Sequence, residues 1–148
     1  MCICVYTHMN AATIFKVIIV DDCVAFGQSL QFLLSHMPQY EVLAILSDGK
    51  DVIEYPHLAQ ADLIIMDMSM PIINGVDAGK QINYILPDIK LVAVTQNNDM
   101  VCLRELVEAG FRGYVLKHSI VEDLANVLNA VLKNELAFPK ELVLRNIL

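Results

Sequence analysis

The sequence predicts an α/β fold, a parallel sheet covered by helices on both faces. Five short apolar runs alternate with five segments whose apolar residues recur at helical spacing. Polar side chains are scarce inside the runs and gather at their ends, as expected for strands buried on both sides. The chain has 148 residues, enough for one domain with a single sizeable core. Crossovers in such a sheet are right-handed almost without exception.

Each element follows from local sequence. "KVIIV" (16–20) is the first strand. After it, Phe26, Leu30, Leu33, Leu34 and Met37 recur on one face of a helix that Pro38 stops. "EVLAIL" (41–46) is the second strand, and "SDG" opens a short helix cut by Pro56. "DLIIM" (62–66) is the third, followed by the loop "PIING" and a helix over 75–86. "IKLVAVT" (89–95) is the fourth strand. The helix over 99–109 ends at Gly110, where a glycine can take the left-handed turn after a helix. It has the weakest apolar stripe. "RGYVLK" (112–117) is the fifth strand. The last long helix, 120–133, carries Leu124, Val127, Leu128, Val131 and Leu132 on one face. The predicted organisation is an N-terminal extension over 1–15, one domain over 16–134, and a linker or extra helix over 135–148.

Composition excludes several classes. Hydrophobic residues make up 56% of the chain, which is incompatible with disorder. No apolar run reaches the roughly 18 residues of a membrane span. No basic residue precedes Lys16 to form the charged start of a signal peptide. A net charge of −7, without a basic run, argues against direct nucleic-acid binding and leaves a cytoplasmic protein as the expectation. Cys2, Cys4, Cys23 and Cys102 match no disulfide framework or zinc pattern, so reduced thiols are expected. Residues 1–9 show no periodicity, and Met9 offers a second starting methionine.

The chemistry lies at the carboxyl ends of the strands. The first ends in Asp21 and Asp22, the third in Asp67, the fourth in Thr95 and the fifth in Lys117. In open α/β sheets these ends meet at one crevice. Three carboxylates in a small volume repel one another, and a hard divalent cation such as Mg²⁺ relieves that repulsion with oxygen ligands. With Lys117 as a second positive charge, the set suits in-line phosphoryl transfer to a carboxylate. Asp67, on the central strand of a 2-1-3-4-5 order, is the best nucleophile. Each residue also has a plainer reading. Asp22 suits the N-cap of the following helix, Thr95 a strand or cap position, and Lys117 a snorkelling surface lysine. Asp67 has no obvious helix to cap.

"VDD", "MDMSMPIING", "AVTQ" and "GYVLK" fall in order, with intervals of 45, 28 and 22 residues between Asp22, Asp67, Thr95 and Lys117. With these motifs, Lys16 to Leu132 resembles a receiver domain of two-component response regulators. The resemblance implies a flavodoxin-like (βα)5 fold and a chain that catalyses only its own phosphorylation and dephosphorylation. It implies that Asp67 takes a phosphoryl group from a phosphohistidine on a sensor histidine kinase or phosphotransfer protein. Carried over by position, Asp21, Asp22, Asp67 and the backbone carbonyl of Ser69 would hold Mg²⁺, with Asp21 acting mostly through water. Thr95 and Lys117 would contact the phosphoryl oxygens. Tyr114 matches an aromatic switch that follows Thr95, although a strand aromatic is the plain reading. Pro71 and Gly75 match the turn after the phosphorylation site.

Three departures stand out. Gln96 replaces a small residue and narrows access to the site. His118 replaces a proline and removes the usual reason for a cis peptide. Ser69 stands where asparagine is frequent. Cys23 is a loop-start filler with no basic sequence neighbour to activate it. "KHS" (117–119) is closest to the branch with LuxR-type helix-turn-helix output domains, and "FPKELVLRNIL" (138–148) resembles the linker to that output. The expected output is transcriptional, with a homodimer as a further partner. Two other functions compete. One is a pseudo-receiver that binds partners without phosphorylation. The other is a hydrolase of the haloacid dehalogenase type, which needs an acid where Ser69 stands.

Overall fold

The computed structural model describes residues 12–145. Expectations for residues 1–9, including Cys2, Cys4 and Met9, lie outside the described residues. The elements run β1 (Phe15–Val20), α1 (Val24–Ser35), β2 (Tyr40–Leu46), α2 (Gly49–Ile53), β3 (Leu63–Asp67) and α3 (Gly75–Ile85). They continue with β4 (Lys90–Thr95), α4 (Met100–Glu108), β5 (Gly113–Leu116), α5 (Ile120–Leu132) and α6 (Lys140–Arg145). The five strands form one parallel sheet in the order β2-β1-β3-β4-β5, the flavodoxin-like arrangement that the sequence predicts.

Strand alternation sorts the core into two layers. Val17, Ile19, Leu63, Ile65, Val92 and Val94 join Leu30 and Leu34 of α1 and Leu124, Leu128 and Val131 of α5. Ile18, Val20, Ile64, Met66, Leu91 and Ala93 join Ala78 and Ile82 of α3 and Leu103 and Leu106 of α4. The apolar residues of β1 and β3 from Val17 and Leu63 onward have no exposure at all, which explains why these runs contain no alternating polar residue. Each such Ile, Val or Leu contributes about 1.5–3 kcal/mol relative to leaving it in water.

Helix ends show where sequence logic succeeds and where it slips. α4 ends in a left-handed Gly110 (φ 96°), with Phe111 N–H donating to Leu106 O at 3.0 Å. This is the glycine stop expected after a helix. α1 stops earlier than the Met37 periodicity implies. Its last helical residue is Ser35, because the residue before Pro38 is sterically kept out of the helical region. Met37 packs against the same layer from the turn rather than from the helix. No peptide bond among the described residues is cis, so Lys117–His118 is trans.

Candidate functional site

Hydrogen bonding of the parallel strands brings the last residues of β1 and β3 side by side. Val20 pairs with Met66, so Asp21 and Asp67 emerge as neighbours at the carboxyl rim. Both are buried, with relative exposures of 2% and 4%. Asp22 follows on the exposed side. One carboxylate oxygen from each of Asp21, Asp22 and Asp67 lies within 4.8 Å of the other two. Asp22 is not the N-cap of α1. That position belongs to Cys23, which makes no side-chain cap bond, so Asp22 has no capping role there.

The buried pair is only partly compensated. Asp21 Oδ1 accepts from Cys23 N–H at 2.7 Å, while its buried Oδ2 has no hydrogen-bond donor among the described residues. Lys117 Nζ stands 3.5 Å from that Oδ2 and 3.6 Å from Asp67 Oδ2. Asp67 Oδ1 accepts a long 3.4 Å bond from Ser69 N–H. Burial raises the pKa of Asp67 above the usual carboxylate range, and the charge on Asp21 adds to it. Lys117 and the Ser69 bond pull the other way, and Asp22 adds a smaller upward push. An orphaned, buried carboxylate oxygen within reach of two other acids fits a hard cation with oxygen ligands.

The loop after Asp67 is held tightly. A Cβ at Gly75 would lie 2.5 Å from Asp67 O and 2.6 Å from Met68 Cε, so only glycine lets α3 start this close to the site. Pro71 O accepts from Ile73 N–H at 2.8 Å across Ile72, whose φ is +69°. A β-branched residue is strained there, and Ile72 is 78% exposed, with little packing to offset it.

Thr95 closes β4 and is buried, as its place in the strand requires. Its Oγ1 donates to Asn97 O at 3.0 Å and accepts from Asn97 N–H at 3.1 Å. The hydroxyl is therefore engaged with its own loop. Gln96 beside it is exposed. Tyr114, half-buried on β5, stacks against Phe138 with ring centroids 5.6 Å apart. His118 lies in a 3₁₀ turn, Lys117–Ser119, that leads into α5.

Phe26 belongs to the site and escapes sequence reasoning. Lys117 Nζ lies 4.7 Å from its ring centroid, within cation–π range. On α1 it reads only as one member of an apolar stripe, and no local pattern links it to a lysine on the far side of the chain.

A buried acid pair thus faces an exposed acid and a lysine at the carboxyl rim of this sheet, and similarity to known proteins places the chain in a family. The response regulator receiver domain family matches residues 17–129, and the chain belongs to it. The Transcriptional regulatory protein DegU of Brevibacillus brevis is 28% identical over 116 residues, 78% of this chain and 49% of its own length. The Response regulator protein VraR of Staphylococcus saprophyticus is 31% identical over 130 residues, 88% of this chain and 62% of its own. This chain thus spans between about half and under two thirds of these relatives. The isolated REC domain of RcsB from Salmonella enterica serovar Typhimurium, solved with the phosphomimetic BeF3⁻, superposes with a TM-score of 0.77 at 25% identity. That match covers 88% of this chain and 97% of the other. A two-component response regulator of the LuxR family from Aurantimonas sp. SI85-9A1 shares the fold, with a TM-score of 0.80 at 22% identity over 88% of this chain and 94% of the other. Proteins of this family are mostly signalling switches rather than metabolic enzymes. No helix among the described residues is long and apolar enough to cross a membrane.

Proposed function

We propose that Asp67 is the phosphoacceptor of this receiver domain. A carboxylate oxygen attacks the phosphorus of a phosphohistidine on a sensor histidine kinase or phosphotransfer protein. The P–N bond breaks, and the imidazole leaves carrying its electron pair and takes up a proton. Lys117 holds positive charge beside the oxygens of the transferring group. Asp21, Asp22, Asp67 and the backbone carbonyl of Ser69 would hold Mg²⁺, which when bound supplies further charge neutralisation at the phosphoryl oxygens. Water then attacks the phosphorus, the bond to the Asp67 oxygen breaks, and inorganic phosphate leaves with the carboxylate restored.

The observation that carries this reading is Asp67 itself. It is a buried carboxylate with a raised pKa, wedged between Asp21 and Lys117, and it caps no helix. A structural role would not need an acid there.

Switching follows from Thr95. Its hydroxyl must leave Asn97 to reach a phosphoryl group on Asp67, and that movement reshapes the β4–α4 loop, which follows the strand that pairs with Tyr114. Gln96 narrows the entrance and changes how long the phosphoryl group survives hydrolysis. The output is transcriptional, through a DNA-binding segment of the whole protein, with dimerisation on phosphorylation and action in the cytoplasm.

Incubation with acetyl phosphate and Mg²⁺, read by intact mass, tests the proposal. One acid-stable, base-labile phosphoryl adduct forms on the wild type and none on Asp67→Asn. The same adduct on both proteins contradicts it. No adduct with acetyl phosphate or a phosphorylated kinase favours a phosphorylation-independent interaction module. Rapid turnover of many phosphate esters favours a hydrolase.

A further inference from the structure

The segment after α5 does more than leave the domain. α5 ends in a left-handed Asn134 (φ 63°), with Glu135 N–H donating to Ala130 O and Asn134 N–H to Val131 O, each at 3.0 Å. That pattern is a specified helix stop, and Lys90 Nζ fastens it by donating to Asn134 Oδ1 at 2.7 Å. The chain then reverses and runs along the outer edge of β5. Ala137 forms a parallel bridge with Gly113, and its N–H donates to Arg112 O at 2.8 Å.

Three residues anchor this strap. Ala137 fits because position 113 is glycine: a Cβ there would lie 2.9 Å from Ala137 Cβ. Phe138, 9% exposed, stacks on Tyr114 with an interplanar angle of 26°. Leu142 of α6, 1% exposed, joins Phe138 in the core layer that holds Leu103 and Leu106 of α4. The strap thus grips β5, the Tyr114 ring and α4 together, and α4 otherwise buries only Leu103 and Leu106.

We infer that residues 137–142 are an intramolecular latch that holds Tyr114 and α4 in the unphosphorylated arrangement and must loosen when Asp67 is phosphorylated. The inference rests on the phosphoacceptor reading above. Thr95 sits two residues beyond the Ala93–Tyr114 pair, so movement of its loop presses on α4 and β5, the two elements that the latch clamps. Coupling of this kind is reciprocal. If phosphorylation weakens the latch, removing the latch favours the phosphorylated state to the same degree.

Hydrogen exchange of the 148-residue chain, with and without Mg²⁺ and BeF3⁻, tests both directions. With BeF3⁻ bound, amides of residues 137–142 exchange faster while those of β1 and β3 stay protected. Phe138→Leu keeps buried apolar volume and loses the ring stack. It tightens BeF3⁻ binding by roughly three- to tenfold, the equilibrium weight of one aromatic pair. Unchanged or slower exchange in residues 137–142 on BeF3⁻ binding overturns the latch and leaves the phosphoacceptor reading standing. So does unchanged or weaker BeF3⁻ binding by Phe138→Leu. Failure of the wild type to bind BeF3⁻ overturns both.

Discussion

The two ends of this sheet use polar residues in opposite ways. At the amino end, Asp62 and Lys90 each have a structural partner. Asp62 accepts from Lys16 N–H at 2.8 Å, tying β1 to the start of β3, and Lys90 donates to Asn134 at 2.7 Å. At the carboxyl end, Asp21 and Asp67 are buried side by side, one oxygen lacks a donor, and a single lysine faces both. Between the two ends of the three inner strands, β1, β3 and β4, lie only apolar residues with essentially no exposure. The amino end is therefore built for stability. The carboxyl end gives up stability to keep charge where the proposed cation and phosphoryl group would use it.

Substitutions at the two ends should separate these roles. The largest effect falls on Lys117. Lys117→Ala slows phosphorylation from acetyl phosphate by roughly a hundredfold or more, the usual cost of removing a positioned charge from a transition state. Rates within a few-fold of wild type would show that the lysine is only a structural counterion. Phe26→Leu, which removes the ring under the ammonium, slows the same reaction by about three- to tenfold, while Phe26→Tyr stays close to wild type.

Asp67→Asn should stabilise the metal-free domain, and the gain should depend on pH. The folded state raises the Asp67 pKa, so folding favours the protonated acid. That favourable contribution is complete below the ordinary carboxylate pKa, near about 4, and is lost as pH rises through the raised value. Wild type and Asp67→Asn therefore melt together in acid and separate toward neutrality. At neutral pH in chelator the variant is higher by a few degrees, the response to about 1 kcal/mol in a domain of this size. A variant that melts lower at neutral pH would mean that the carboxylate stabilises the fold. The smallest effect belongs to the amino end. Asp62→Ala costs about 0.5–1.5 kcal/mol in a denaturant melt and leaves the phosphorylation rate unchanged.

Legibility follows the same division. The five strands, their order and the gathering of Asp21, Asp22, Asp67 and Lys117 could be read because buried parallel strands admit polar residues only at their ends. Gly110 could be read because a helix stop is local. What escaped depends on contacts between distant segments or on loop geometry. Phe26 looked like core because its partner, Lys117, lies in the turn after β5, far along the chain. Asn97 gave no sign that it would bind the Thr95 hydroxyl, since a two-residue turn of this kind is set by the loop path. "FPKELVLRNIL" suggested a helix, and α6 is there, but nothing local showed that Ala137 would pair with Gly113. Met37 misled because its spacing is helical while Pro38 forbids the helix from reaching it.

Calorimetric titration with Mg²⁺ tests the shared-ion claim most directly. Wild type should bind one ion, and Asp22→Ala, an exposed position that caps no helix, should weaken binding at least about tenfold without lowering the melting temperature in chelator. Equal affinity in wild type, Asp22→Ala and Asp67→Asn would mean that the three acids do not hold a common cation.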